Sequence, residues 1–512
     1  LVDVWPLSPL QEGLLFHARY DEGSRDVYVG QRFLDLEGPL DSERFRGSWQ
    51  ALLDRHASLR AGFHRLVQVI ARDVELPWCE ADLSGLSEAD AEAEALRLAE
   101  EEHARFDLAA PPLLRFLLLK RGEERYRLIM TMHHIVMDGW SLPILFGELA
   151  QIYAAGGDAA GLPPVTPYRE YLAWLDRQDK EAARSAWQEM LAGATESTLV
   201  APIEPGAESV QPRHVVVRLD EPFTLALRDM ARVHGLTLNT VIQGVWGALV
   251  GMLAGRTDVV FGATVAGRPA ELPGVEQMLG LLMNTVPVRV RLDPRQTMAD
   301  LLTELQAQQA ELIAHQHLGL AEIQRITGAG ATFDSLVVYE NYPYDPDAAR
   351  DFGGLRIAGG GGEEAAHYPL TLVVSPSDEL ELQFDYRPDV FDEAAVRALA
   401  ERVLRVLEQV SADPQVRVAR LAVLDETERR RVLDDWNDTA QPLSVRTLPE
   451  LFGAQVARTP DAVAVAGAGV TLTYAELDAR ADRVAGWLAG RGFGSECRVG
   501  VVMDRSADLV AV

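Results

Sequence analysis

Apolar residues in this chain change their spacing from segment to segment, and the changes mark out its elements. Over residues 41–56, Phe45, Trp49, Leu52 and Leu53 share one helical face, with Asp41 or Ser42 as the opening cap. Residues 126–135, YRLIMTMHHI, form a short, largely apolar run, then Met137, Asp138 and Gly139 turn the chain into a helical pattern over 141–154. The spacing predicts a buried strand, a tight turn and a helix. Helical spacing returns over 239–253 and stops at Gly255, a strand follows over 259–265, and 297–315 reads as a helix with a capping box from Thr297 to Asp300. LELQFDY, at 380–386, alternates as a strand with one wet face does, and 392–410 is amphipathic at helical period. Intermixed strands and helices predict an α/β or α+β class with mixed sheets.

Gly/Pro-rich connectors over 155–167 and 201–212 divide the chain into two lobes joined through this region, and a charged stretch over 411–445 separates the last of these helices from a new pattern near Leu448. The run Gly359, Gly360, Gly361, Gly362 is followed by no GxxxxGK[ST] and reads as a flexible loop rather than a phosphate cradle.

Composition narrows the function. At 512 residues the chain has room for two to four folding units, and no stretch approaches the roughly 20 apolar residues a membrane span needs. The start, LVDVWPLSPLQEG, lacks the basic and apolar regions of a secretory signal, and Cys79 and Cys497 stand far apart without metal-ligand spacing. A soluble, cytoplasmic protein is expected. A formal net charge of −29 repels nucleic acid and anionic membrane, so neither is expected as a partner.

The chemistry concentrates in MHHIVMDGWS. Neighbouring side chains on a strand face opposite ways, so His133 and His134 are not expected in one pocket. A histidine at a strand end can take a proton from an attacking amine or hydroxyl, or hold that group in place. Two histidines in a core strand also suit packing and hydrogen bonding. Asp138 in the turn would need a basic partner if buried, and Gly139 would let the backbone come close to a substrate. There is no HExxH for zinc and no G-x-S-x-G elbow for serine hydrolysis. Pattern alone reaches no further than acyl transfer.

MHHIVMDGWS resembles the HHxxxDG signature of nonribosomal peptide synthetase condensation domains. Further blocks similar to that family stand in family order: PLSPLQEGLLFH near the start, RHASLRAGF from Arg55, TPYREYLAWLDRQ from Thr166, GLLMNTVPVR from Gly280, HQHLGLAEI from His315 and FDSLVVYENYP from Phe333. The resemblance implies two chloramphenicol-acetyltransferase-like lobes around a central tunnel, over 1–178 and 179–425. It also implies a peptide bond made between donor and acceptor thioesters carried on 4'-phosphopantetheine, with no cofactor or metal bound directly. His134 would position or deprotonate the acceptor amine, His133 would be structural, and Asp138 would pair with Arg268. Gly139 would lie near the thioester, Arg60 would give structural support, and Trp140, Ser141 and Asn284 would stand near substrate.

After a linker at 426–446, residues 447–512, with LTYAEL, are similar to the opening of an adenylation domain whose nucleotide loop does not appear, so no amino-acid activation is expected from this stretch. The implied partners are an upstream donor carrier, a downstream acceptor carrier and the adjacent adenylation domain, in a monomeric part of a multimodular enzyme. In SPLQEG, Gly13 stands where the family's L-donor form carries arginine, which resembles the D-donor subtype. Intact HHxxxDG separates the chain from heterocyclisation domains, and the following adenylation-like segment from epimerisation domains. A catalytically silent docking module for carrier or tailoring proteins is the alternative.

Overall fold

The computed structural model describes residues 1–20, 26–201, 210–342, 353–363, 367–441, 447–467 and 469–512. The chain forms two compact units, Leu1–Asp425 and Glu426–Val512.

Two sheets organise the larger unit. The first runs in the order Arg356–Glu363, Val29–Glu37, Arg125–His133, Leu114–Lys120, Trp78–Asp82, and the second in the order Asn284–Arg291, Asp258–Val265, Ser335–Tyr339, Leu370–Ser375, Glu381–Tyr386, Arg213–Arg218. Helices Ser42–Arg55 and Ser141–Ala154 pack on the first sheet through Phe45, Trp49, Leu145 and Leu149. Asp41 caps the former, its carboxylate accepting from the Arg44 amide at 3.0 Å. Helix Leu238–Ala254 is the core helix of the second sheet, opened by Thr237 and stopped by Gly255 at φ 64°. Gly247 seats it there, since a Cβ at that position would stand 2.7 Å from Val290 Cγ2. Among the described residues no single helix is long and apolar enough to cross a membrane.

The glycine run corrects the sequence reading. Gly359 to Gly362 belong to the strand Arg356–Glu363, which pairs antiparallel with Val29–Glu37 after a bulge between Ile357 and Gly359. Glycine's weak strand propensity hid this, because pairing with a distant partner overrides local preference. Closeness is what demands glycine here: a Cβ at Gly362 would lie 2.5 Å from the Gln31 carbonyl oxygen and 2.5 Å from Arg32 Cδ. A segment late in the chain thereby forms the edge of the first sheet.

The capping box at Thr297 is also altered. Asp300 N–H donates to the Thr297 hydroxyl at 3.1 Å, while Asp300 Oδ2 accepts from that same hydroxyl at 2.7 Å. The helix runs Met298–Leu312 and gives way to a 3-10 turn, Ile313–His315.

The smaller unit has its own core of Leu472, Leu477 and Ala511. Full capping boxes open its helices Leu448–Arg458 (Thr447 with Glu450) and Tyr474–Ala489 (Thr473 with Glu476).

Gly362→Val is expected to destabilise the larger unit by about 1–3 kcal/mol, the range for forced overpacking, read as a lowered denaturation midpoint.

Candidate active site

The two histidines leave the end of one strand in opposite senses, and their hydrogen bonds sort them chemically. His133 is fully buried; its Nδ1 accepts from the Ile135 amide at 3.1 Å, so its proton sits on Nε2, facing Asp26 Oδ2 at 3.2 Å. Burial pushes this imidazole down from its ordinary pKa, with the Asp26 hydrogen bond opposing. His134 is half-buried, and its Nδ1 lies 3.0 Å from the Met137 carbonyl oxygen. A carbonyl only accepts, so Nδ1 carries a proton, and in the neutral ring the lone pair is on Nε2.

Asp138 fixes the turn that follows. Its Oδ1 accepts from Arg268 Nη2 at 3.1 Å, from the Ser141 amide at 3.0 Å and from the Ser141 hydroxyl at 2.8 Å. Oδ2 accepts from the amides of Leu282 at 3.0 Å and Met283 at 3.3 Å. Both side chains of the Asp138–Arg268 pair are 3% exposed, so solvent does little to screen it. Burial pushes the Arg268 guanidinium down from its usual range, and the Asp138 charge opposes that shift. The carboxylate also stands at the first turn of helix Ser141–Ala154, where orphan amides favour negative charge.

The segment 279–282 is held by side chains from the first half of the chain. Ser58 donates to the Leu279 carbonyl at 2.9 Å, Tyr168 to Leu281 at 2.7 Å and Tyr171 to Leu282 at 3.0 Å. Gln11, from SPLQEG, donates to the Ile135 carbonyl at 3.0 Å and braces the histidine turn from behind. Arg55 and His56 of RHASLRAGF both reach Glu148 on the helix after the turn, at 3.0 and 2.6 Å. These contacts tie the blocks at the start of the chain, at Arg55 and at Thr166 to the histidine turn, its helix and the segment 279–282.

Two cavities flank the turn. One, of about 620 Å³, is lined by His134, His17, Tyr28, His367 and Tyr342. The other, of about 490 Å³, is lined by Asp138, Trp140, Asn239, Gln316 and Tyr342. In the larger cavity His17 and His367 stack at 4.3 Å between ring centroids, and Tyr28 Oη meets His367 Nδ1 at 2.5 Å. Burial, then the neighbouring His17 charge, push His367 down to about 3. The residue is half-buried and lines this cavity.

This strand–turn–helix beside paired cavities can be matched to known proteins. The family model "Condensation domain" matches residues 2–433, and "AMP-binding enzyme" matches residues 452–512. The chain belongs to the condensation-domain family. It is 37% identical to a linear gramicidin synthase of Brevibacillus parabrevis over 99% of the chain and 7% of that protein. It is 33% identical to surfactin synthase subunit 3 of Bacillus subtilis (strain 168), over 99% of the chain and 41% of that protein. The chain thus spans less than half the length of either relative. A crystal structure of the nonribosomal peptide synthetase FmoA3 superposes with a TM-score of 0.74 at 25% identity, covering 96% of this chain and 52% of that one. The first condensation domain of the calcium-dependent antibiotic synthetase, with a substrate analogue, superposes at 0.69 and 22% identity, covering 83% of this chain and all of that one, and speaks to the fold. Condensation domains are acyltransferases that form amide bonds.

Within this condensation domain some expected residues take other places. Ser141 is fully buried, its hydroxyl donating to Asp138 and 3.0 Å from the Gly280 carbonyl, so it is a structural residue and not a substrate contact. Gly139 makes room for a side chain rather than for substrate, since a Cβ there would lie 2.4 Å from Tyr342 Oη. Trp140 does line a cavity, and Arg268 sits 5.3 Å from its ring centroid. Asn284 borders the larger cavity while its amide donates to the carbonyls of Gln316 at 2.8 Å and Leu318 at 2.9 Å. Arg60 donates to the carbonyls of Leu53, Asp54, Ala71 and Arg72, a structural role. Sequence reasoning missed His17, Tyr28, His367 and Tyr342. For His17 and Tyr342 a signal existed, because they stand in the blocks PLSPLQEGLLFH and FDSLVVYENYP; Tyr28 and His367 stand outside every block.

Removing Asp138 leaves the Arg268 charge without its counter-ion and the amides of Leu282 and Met283 without this acceptor, in a buried place. Asp138→Ala is expected to cost about 3–5 kcal/mol in urea unfolding, and Asp138→Asn less, because one acceptor oxygen remains.

Unfolded histidine titrates near about 6.5, so as pH falls below that value the unfolded chain binds a proton that folded His367 refuses. Stability is therefore present above about 6.5 and lost on acidification toward 3, with His133 adding in the same direction. His367→Gln is expected to flatten the fall in Tm between pH 7.5 and 5.

Proposed function

We propose that this chain joins a donor aminoacyl or peptidyl thioester to an acceptor aminoacyl thioester, each delivered on the 4'-phosphopantetheine of a carrier domain. The observation that carries the reading is the placement of His134: its Nδ1–H is held by the Met137 carbonyl, so the neutral ring carries its lone pair on Nε2, and the side chain lines the larger cavity. That nitrogen accepts a hydrogen bond from the acceptor α-amine. The amine nitrogen attacks the donor carbonyl carbon, the C–S bond breaks, and the proton lost by nitrogen passes through His134 to the departing thiolate. A thioester is already activated, so holding the two groups in near-attack geometry supplies much of the acceleration. His133 is a supporting residue, its acceptor nitrogen taken by the Ile135 amide and its N–H by Asp26.

Gly13 supports a D-configured donor. It borders the cavity that holds His134, and a Cβ there would meet no atom within 4 Å, so the room an arginine side chain would claim is open to substrate. The adenylation-like segment at 452–512 and relatives that are peptide synthases support a place inside a multimodular enzyme, between an upstream and a downstream carrier.

Intact-protein mass spectrometry of donor-loaded and acceptor-loaded carriers tests this. Wild type is expected to form dipeptidyl acceptor carrier, faster with the D-donor, and His134→Ala to lose about 10²-fold or more in rate, the scale of a general base. Equal rates with L- and D-donors would overturn the stereochemical part. No dipeptide from wild type despite carrier binding would leave a silent docking module.

A further inference from the structure

The two cavities beside the histidine turn have three lining residues in common, Thr264, Met283 and Tyr342. Thr264 belongs to the strand Asp258–Val265, and the Met283 amide is tied to Asp138, so both are fixed by backbone contacts. Tyr342 is different. It follows the strand Ser335–Tyr339 and reaches across to the reactive turn of the other lobe. The hydroxyl end of its ring rests on Gly139, where a Cβ would be 2.4 Å from Oη, 2.5 Å from Cζ and 2.8 Å from Cε2. Any side chain at position 139 would therefore displace this ring. His134 lines the cavity on one side of the turn, and Asp138 and Trp140 line the cavity on the other.

We propose that Tyr342 is the partition between the two cavities: its ring closes the passage beside His134, and its bulk sets the size of side chain that a substrate can bring to the meeting point. Tyr342 is thus a specificity-determining and positioning residue. A planar ring suits the task, being stiff, with two torsions, and large enough to fill a gap between lobes. The effect is steric, so it needs the ring and not the hydroxyl. Side chains of groups entering from either side would stop against this ring at a fixed depth, while the amine and the thioester carbonyl meet past its edge, beside His134.

This proposal rests on the condensation reading for its kinetic test and on geometry alone for its structural one. The first experiment uses the full chain with one donor-loaded carrier and acceptor carriers bearing glycine, alanine, leucine or phenylalanine, comparing wild type, Tyr342→Phe and Tyr342→Ala. Tyr342→Ala is expected to raise kcat/KM for the phenylalanine acceptor relative to the glycine acceptor by about tenfold or more, the discrimination a few methylene-sized contacts give, chiefly through KM. Tyr342→Phe should stay within about threefold of wild type for every acceptor, a small change by the same scale. A loss in Tyr342→Ala that is equal for all acceptors, or a Tyr342→Phe as impaired as Tyr342→Ala, would overturn the proposal. If Tyr342→Ala fails to fold by its melting profile, Tyr342→Leu takes its place with the same expectation. A wild type that makes no dipeptide would refute the condensation reading instead, and a crystal structure of the alanine or leucine variant then decides about Tyr342. One continuous passage past Gly139 upholds the partition; two cavities still separated there sink it.

Discussion

A single carboxylate, that of Asp138, holds the site together. Five donor groups converge on it: the Arg268 guanidinium, the Ser141 amide and hydroxyl, and the amides of Leu282 and Met283. Buried this deeply, an unpaired aspartate would be costly, and so would an unpaired Arg268, so each is stable only because the other is present. The residue before Asp138 supplies the carbonyl that sets the His134 tautomer, and the residue after it supplies the bare backbone on which Tyr342 rests. Reactive base, lobe junction and cavity wall all depend on where this carboxylate sits.

The neighbouring histidines show how one dipeptide is given two chemistries. Nothing in the residue type distinguishes them; their hydrogen bonds do. An amide donor makes the Nδ1 of His133 an acceptor, and a carbonyl acceptor makes the Nδ1 of His134 a donor. The first ring has its N–H on Asp26, while the second, when neutral, carries its lone pair on Nε2 of a cavity-lining side chain. Strand alternation separates the two rings in space, and the backbone of the following turn separates them in protonation.

How much of this could be read from the sequence depends on range. The strand, the turn and the helix starting at Ser141 come from local apolar spacing and were legible almost to the residue, as was the stop at Gly255. That a buried Asp138 demands a base was legible, but the base itself, Arg268, stands 130 positions away and was named only through the resemblance. The glycine strand was not legible, since its cause is the backbone of residues 31 to 35, some 320 positions away, and no local pattern carries that information. For the same reason His17, Tyr28, His367 and Tyr342 gave no joint signal; only the fold brings them to one cavity. Ser141 and Gly139 were misplaced for a subtler reason. Proximity to a motif says which residues are near the chemistry, not whether they face it.

The segment 272–282 also packs Leu272, Val275, Met278, Leu279, Leu281 and Leu282 into the core of the first sheet, which raises the question of what the ions and hydrogen bonds add. Apolar surfaces tolerate a slide of an ångström or so, because their attraction has little direction. Five donors around one carboxylate accept a single register, and carbonyls at 279, 281 and 282, bonded by Ser58, Tyr168 and Tyr171, extend that register along the segment. A reaction that draws its speed from positioning needs this kind of contact, since a misplacement of about 1 Å can cost roughly a hundredfold in rate. The base comes from one lobe and the wall facing it from the other, so the precision of the site can be no better than the precision of the junction. A directional clamp at Asp138 is the physical answer to that requirement.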